Sequence, residues 1–320
     1  MSRLQIFVIF IVIIVFVLIV LANFSTAFTA EIQKLTISSD SILKEGLTVN
    51  KIPKIIWGYW NTGIQNAPET VKKCIENWKR FNIGWTINIL NDNNLQEYID
   101  PTIFEKIVVK ESYIQKKSDL IRLLLLQKYG GIWVDASIFF TESLDWVLKL
   151  QKDKNVDIVC YYLGGFTTDQ KFPVLENWFI ASTPNNPFLN LWLMDFVFYL
   201  YNDYNIYMET VKALNINTQN IGIPSYLTMH VSAQKIMQTH PHLLSRIFAM
   251  SVEDEPFKYH CQYKWKMEEA FYDLMFQNHN EKIPKLVKMR GGDRNIVEKL
   301  FLTKSVNKNS LFGKYVFTEE

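Results

Sequence analysis

Asp119 and Arg122 lie three residues apart at the start of a helical pattern, so both project from one face and can reach one ligand. A carboxylate accepts hydrogen bonds from hydroxyls, and a guanidinium offers a rigid fork of donors. Together they can fix the orientation of a pyranose or a ribose. The same spacing also suits a plain ion pair along the helix. Asp135 follows Ile132-Trp133-Val134 and precedes Ala136 and Ser137, so it comes off a buried strand and needs a partner for its charge. A divalent cation shared with a diphosphate would be such a partner, because Mg²⁺ and Mn²⁺ bind through one or two carboxylates plus phosphate oxygens. A carboxylate capping a turn is the plainer reading.

The elements around these residues follow from pattern. Ser118 is placed to cap a helix that carries Leu120, Ile121 and Leu123 to Leu126 and runs to Tyr129, where Gly130-Gly131 stops it. Residues 132–134 then read as a buried strand that delivers Asp135 at its end. Upstream, the β-branched run 52–57 predicts a first strand, and Val71, Cys74, Ile75 and Trp78 mark one face of a helix over 68–81. Residues 85–90 follow as a second strand. Residues 158–163 and 178–181 are further strand candidates, and 184–201 an apolar helix. Residues 230–247 look helical, and Gly291-Gly292-Asp293 marks a turn or flexible loop. Alternating strands and helices predict an open α/β sheet, whose ligands bind outside the carboxyl ends of the strands.

The organisation of the whole chain is read in the same way. Residues 4–22 are apolar except for Gln5, long enough for a helix that spans a bilayer. The expectation is a short tail and signal anchor over 1–22, a polar stem over 23–50 and a domain over 51–320. That domain divides into a donor-binding half, 51–200, and an acceptor or lid half, 201–320. Arg3 before the span favours a cytoplasmic N-terminus, hence a single-pass type II membrane protein, in a Golgi or endomembrane lumen if eukaryotic. A cleaved signal peptide ending near Ala30 is the alternative. A net charge of +2 without a dense basic block excludes a nucleic-acid binder. Cys74, Cys160 and Cys261 have no CxxC spacing, so neither a disulfide framework nor a thiolate zinc site is indicated.

The string Ser118-Asp119-Leu120-Ile121-Arg122, the Gly130-Gly131 turn and Asp135-Ala136-Ser137 together resemble the capsular polysaccharide synthesis proteins. More distantly they resemble glycosyltransferase family 32 and the large glucosylating bacterial toxins, where SDxxR, a GG turn and DxD occur in this order. Ile52-Pro53-Lys54-Ile55-Ile56-Trp57 and Trp60 are similar to that family's first strand, and Trp178 to Pro187 to a third segment, so the resemblance covers 52–192.

The resemblance implies a GT-A-like, Rossmann-type nucleotide-sugar domain that moves a hexose, with retention, from a UDP- or GDP-sugar to a glycan or polysaccharide. It implies a donor site around Ser118, Asp119, Arg122 and Asp135, with Trp60 stacked on the base and Asp119, Arg122 and Asp135 as the catalytic set. It also implies Mn²⁺ or Mg²⁺ on Asp135 and residue 137, although Ser137 stands where the pattern has a second aspartate and offers a weaker ligand. A polar residue from the last third would complete the diphosphate site. His230, Asp254, His260, Lys285 and Arg290 are candidates, and Lys285 is the one expected to neutralise the leaving group. A membrane-tethered sugar-binding protein without catalysis, or a glycoside hydrolase using Asp119 and Asp135, are the rival classes.

Overall fold

The computed structural model describes residues 51–106, 114–279 and 283–318, so the expected anchor over 1–22 and stem over 23–50 lie outside the described residues. Strands β1 (Ile55–Tyr59), β2 (Thr86–Leu90), β3 (Gly131–Val134), β5 (Ile158–Tyr162), β6 (Leu175–Ser182) and β7 (Ile247–Ser251) form one sheet in the order β2-β1-β3-β6-β5-β7. β1 is parallel to β2 and β3, β5 is parallel to β7, and β6 runs antiparallel to both of its neighbours. A second, two-stranded sheet joins β4 (Ile138–Phe140) to β8 (Leu286–Lys288) antiparallel. The fold is therefore mixed α/β.

Among the described residues, helices of ten residues or more are α1 (Glu69–Phe81), α2 (Ile114–Tyr129), α3 (Asp145–Lys154), α4 (Pro187–Tyr201), α5 (Tyr204–Ala213), α6 (Thr228–Thr239), α7 (Met267–Phe276) and α8 (Gly291–Thr303). On α1 the predicted apolar face is the buried one, with Val71, Cys74, Ile75 and Trp78 all inside. On α2 Leu120, Ile121, Leu123, Leu125 and Leu126 are buried on several sides of the helix, as expected of one largely enclosed by neighbours, and Leu124 is half-buried.

Gly130 and Gly131 join α2 to β3 with φ of +64° and +95°. A Cβ on Gly131 would stand 2.7 Å from the Ile55 carbonyl oxygen, and one on Gly130 2.7 Å from the Pro184 nitrogen. Two glycines are thus the local solution for a left-handed turn packed directly on backbone. The Trp57 indole closes the joint by donating to the Gly130 carbonyl at 2.8 Å.

Several expectations are corrected. Ser118 does not cap α2: it lies inside the helix, whose described residues already include Ile114 to Lys117, with Gln115, Lys116 and Lys117 all good helix formers. The helix expected over 230–247 ends at Thr239, where Pro241 breaks it, and the chain continues into β7. Gly291-Gly292-Asp293 opens α8 instead of forming a loop, with the Asp293 carboxylate accepting the Arg290 backbone N–H at 2.8 Å. Strands β4 and β8 are too short for any period to reveal them.

Among the described residues no helix is long and apolar enough to cross a membrane. The apolar α4 has 15 residues, about 22 Å at 1.5 Å per residue against a hydrocarbon core of about 30 Å. This corrects the single-pass membrane placement expected from the sequence, and no membrane localisation is carried further.

Candidate active site

The carboxyl ends of parallel strands β1 and β3 open onto one cavity of about 520 Å³, within the usual range of small-molecule sites. β1 delivers Trp60 and β3 delivers Asp135, Ala136 and Ser137. Because β6 is antiparallel to β3, with Val134 opposite Phe179, its first residues arrive beside the end of β3 and place Glu176 and Asn177 in the same wall. α2 supplies Ser118, Asp119 and Arg122. Six of the seven residues expected at the site thus line one cavity.

Arg122 organises that wall. Its Nη1 lies 2.5 Å from Asp119 Oδ1, its Nη2 lies 3.2 Å from Asp135 Oδ1, and its guanidinium covers the Trp133 ring at 4.8 Å. The Asn177 amide donates to Asp119 Oδ1 at 2.9 Å. The 119/122 spacing thus forms the ion pair, and the pair faces the cavity. Burial alone would raise the Asp135 carboxyl, but the charges of Lys288 and Arg122, with hydrogen bonds from Lys288 and Trp133, bring it down to about 2. Asp135 is a fixed anion at neutral pH.

The loop after Asp135 is held by backbone accounting. β4 pairs with β8 on one edge. On its other edge the Trp78 indole donates to the Ile138 carbonyl at 2.6 Å, and the Asn77 amide both donates to and accepts from the Phe140 backbone, at 2.8 and 2.7 Å. The register sets Ile138 opposite Lys288, which brings the Lys288 ammonium to 2.7 Å from Asp135 Oδ2 and 3.3 Å from Ser137 Oγ.

Lys285, expected to neutralise the leaving group, does not line this cavity: its ammonium pairs with Glu142 at 3.2 Å, and both side chains are exposed. It lies an odd number of residues from Lys288 along an extended segment, so the two point to opposite sides. Of the other candidates, His230 and Arg290 line the cavity, whereas Asp254 and His260 do not. His260 is buried behind the first turn of α8, 2.8 Å from Asp293.

Lys288, Arg294, Glu176 and Asn177 are lining residues that the sequence reading missed. Arg294 stands 5.3 Å over the Trp60 ring, Glu176 pairs with His230 at 3.1 Å, and Gly291 at the N-terminus of α8 borders the same space. The pattern that could have pointed to Glu176 and Asn177 is β6 itself, which starts at Leu175 and not at Trp178.

The divalent ion expected on Asp135 and Ser137 meets an unsuitable donor set. Both Asp135 oxygens already accept from cationic or N–H donors, the Ser137 hydroxyl donates to the Met289 carbonyl at 2.7 Å, and an ammonium stands between the two side chains. Among the described residues no group of three or more His, Cys, Asp or Glu could hold a metal ion. The residues present do not fit the ion.

The family model described as capsular polysaccharide synthesis protein matches residues 22–287, and the chain belongs to that family. It is 31% identical over 156 residues to the O-glycosyltransferase braB of Annulohypoxylon truncatum, covering 44% of this chain and 36% of that protein. It is 28% identical to the probable glycosyltransferase FCK3 of Fusarium pseudograminearum, over 43% of this chain and 37% of that protein. The chain thus spans little more than a third of the length of these relatives. The UDP-bound glycosyltransferase domain from the YGT toxin overlays with a TM-score of 0.42 at 10% identity, covering 70% of this chain and 90% of that one.

Proposed function

We propose that this chain is a hexosyltransferase with a GT-A-like domain, moving a sugar from a UDP- or GDP-hexose to a hydroxyl of a glycan or polysaccharide, with retention at the transferred carbon. The observation that carries this reading is the single guanidinium of Arg122 joining Asp119 and Asp135 in the wall of a cavity that also holds Lys288, Arg290 and Arg294. Carboxylates and an amide suit sugar hydroxyls, and the neighbouring cations and the N-terminus of α8 suit a diphosphate.

In this reading Asp119 and Arg122 orient the donor hexose, with Ser118 one position away on the same turn. Asp135 holds a sugar or ribose hydroxyl, and Trp60 offers its ring to the base. The family membership and the names of the relatives, one of them an O-glycosyltransferase, support transfer to a hydroxyl. Hydrolysis by an acid and base pair is less favoured, because both carboxylates are paired with the one Arg122 guanidinium instead of being set in the separate environments that an acid and a base require.

The test is turnover of a panel of UDP- and GDP-sugars by the wild type and by Asp135→Ala. The reading expects release of nucleotide from one donor and its loss in the variant. Donor binding without turnover across several acceptors would instead support a sugar-binding protein that has lost catalysis.

A further inference from the structure

We infer that the Lys288 ammonium takes the place of a divalent ion in this site, so that the donor diphosphate is bound, and its departure stabilised, without metal. The inference rests on the proposed donor site and adds to it the identity of the cation.

Lys288 ends β8, and only 8% of its side chain is exposed. Its ammonium lies 2.7 Å from Asp135 Oδ2 and 3.3 Å from Ser137 Oγ, between the two side chains from which a metal would be expected to take its ligands. An ammonium has three N–H donors, so these two partners leave one for a ligand oxygen. The hydroxyl of Ser137 is a sufficient neighbour for an ammonium. It would be a poor ligand for Mg²⁺ or Mn²⁺, and its proton is already committed to the Met289 carbonyl.

The surroundings point the same way. Arg294 and the first residue of α8 line the same cavity, as does Arg290, whose guanidinium is held by Asp293 at 3.0 and 2.9 Å, so an anion there meets Arg294 and a helix N-terminus as well as Lys288. Fixed cations in a partly dehydrated cavity stabilise developing negative charge without reorganising at the moment of reaction. In the transfer, the bond from the sugar C1 to the phosphate oxygen breaks and its electron pair goes to that oxygen. The acceptor oxygen bonds to C1, and the acceptor proton passes to the released diphosphate. Lys288 faces the charge that this step places on the phosphate.

The experiment is calorimetric titration of the full chain, freed of metal with chelator, with UDP, UMP, GDP and GMP, repeated with added Mn²⁺. The expected result is that one diphosphate binds better than its monophosphate in chelator, and that Mn²⁺ changes its affinity by less than about twofold. Lys288→Met should weaken the diphosphate by roughly tenfold or more while leaving the monophosphate nearly unchanged, the loss of one charge-assisted contact. Lys288→Arg should keep most of the preference. The double variant Lys288→Met with Ser137→Asp should regain it only when Mn²⁺ is present. Diphosphate binding by the wild type that requires Mn²⁺, or a preference that survives Lys288→Met, would overturn the inference and leave the donor site standing. A folded wild type that binds none of the four nucleotides in either condition overturns both.

Discussion

Arg122 reaches Asp135 across 13 positions of sequence, with Nη2 at 3.2 Å from Oδ1, while the same guanidinium holds Asp119 at 2.5 Å. The link requires α2 to end in a turn tight enough to send β3 back alongside it, which Gly130 and Gly131 provide. A helix face and a strand end thereby become one rigid wall.

That wall should depend on the fork of the guanidinium. Arg122→Lys keeps the charge but cannot hold two carboxylates in fixed geometry. Donor turnover should fall by about 100-fold or more, in the range seen when a preorganised electrostatic contact is removed. Arg122→Met leaves the largely buried Asp119 without its cation, while the part-exposed Asp135 keeps Lys288, and should cost about 3 kcal/mol in urea unfolding. A Lys variant with wild-type turnover would remove Arg122 from the account.

Acid should act through Asp135. Its folded-state value of about 2 lies below the ordinary carboxylate value of about 3.9, so its contribution to stability is complete above about pH 5 and is lost as pH falls toward 2. The amount is about 2 kcal/mol. Urea melts of the wild type and Asp135→Asn between pH 6 and pH 2.5 should show the gap between them narrow by that amount. A gap constant across the range contradicts the pairing.

How far the sequence reached can be read from particular residues. The chemistry of 118–137 was legible because helix, glycine turn and strand are contiguous and the joined string resembles one family's pattern, whereas the spacing of Asp119 and Arg122 by itself suited a plain ion pair equally. Strands β1, β2, β3, β5 and part of β6 were legible from β-branched and aromatic runs. Lys288 was not, because it enters through the pairing of β4 with β8 across about half the chain, and three-residue strands carry no period. The same absence of local signal put Lys285 forward while Lys288 was missed, and made the glycines at 291–292 read as a loop when they begin α8.

The glycine turn offers a test of the joint itself. Gly131→Ala would force a Cβ to within 2.7 Å of the Ile55 carbonyl oxygen at a φ of +95°. We expect a loss of about 2–4 kcal/mol in thermal or urea unfolding, from backbone strain and displacement of β1. Gly84→Ala, also at positive φ but with nothing within 4 Å of the added carbon, isolates the conformational part and should cost less.

Trp60 is half-buried, and its ring faces Arg294 at 5.3 Å. Trp60→Ala should weaken nucleotide binding by about 5- to 10-fold, consistent with loss of an aromatic contact. Turnover at saturating donor should change far less. The comparison is KM against kcat with Trp60→Phe as the conservative control, and an unchanged KM would place the base elsewhere.

The most direct test of the central claim is nucleotide release from UDP- and GDP-hexoses by the purified full chain, beside Asp135→Asn at equal folded concentration. The account predicts release from one donor by the wild type, and a fall of about 100-fold or more in the variant. Equal release by both proteins, or a folded wild type that neither binds nor turns over any donor, would contradict it.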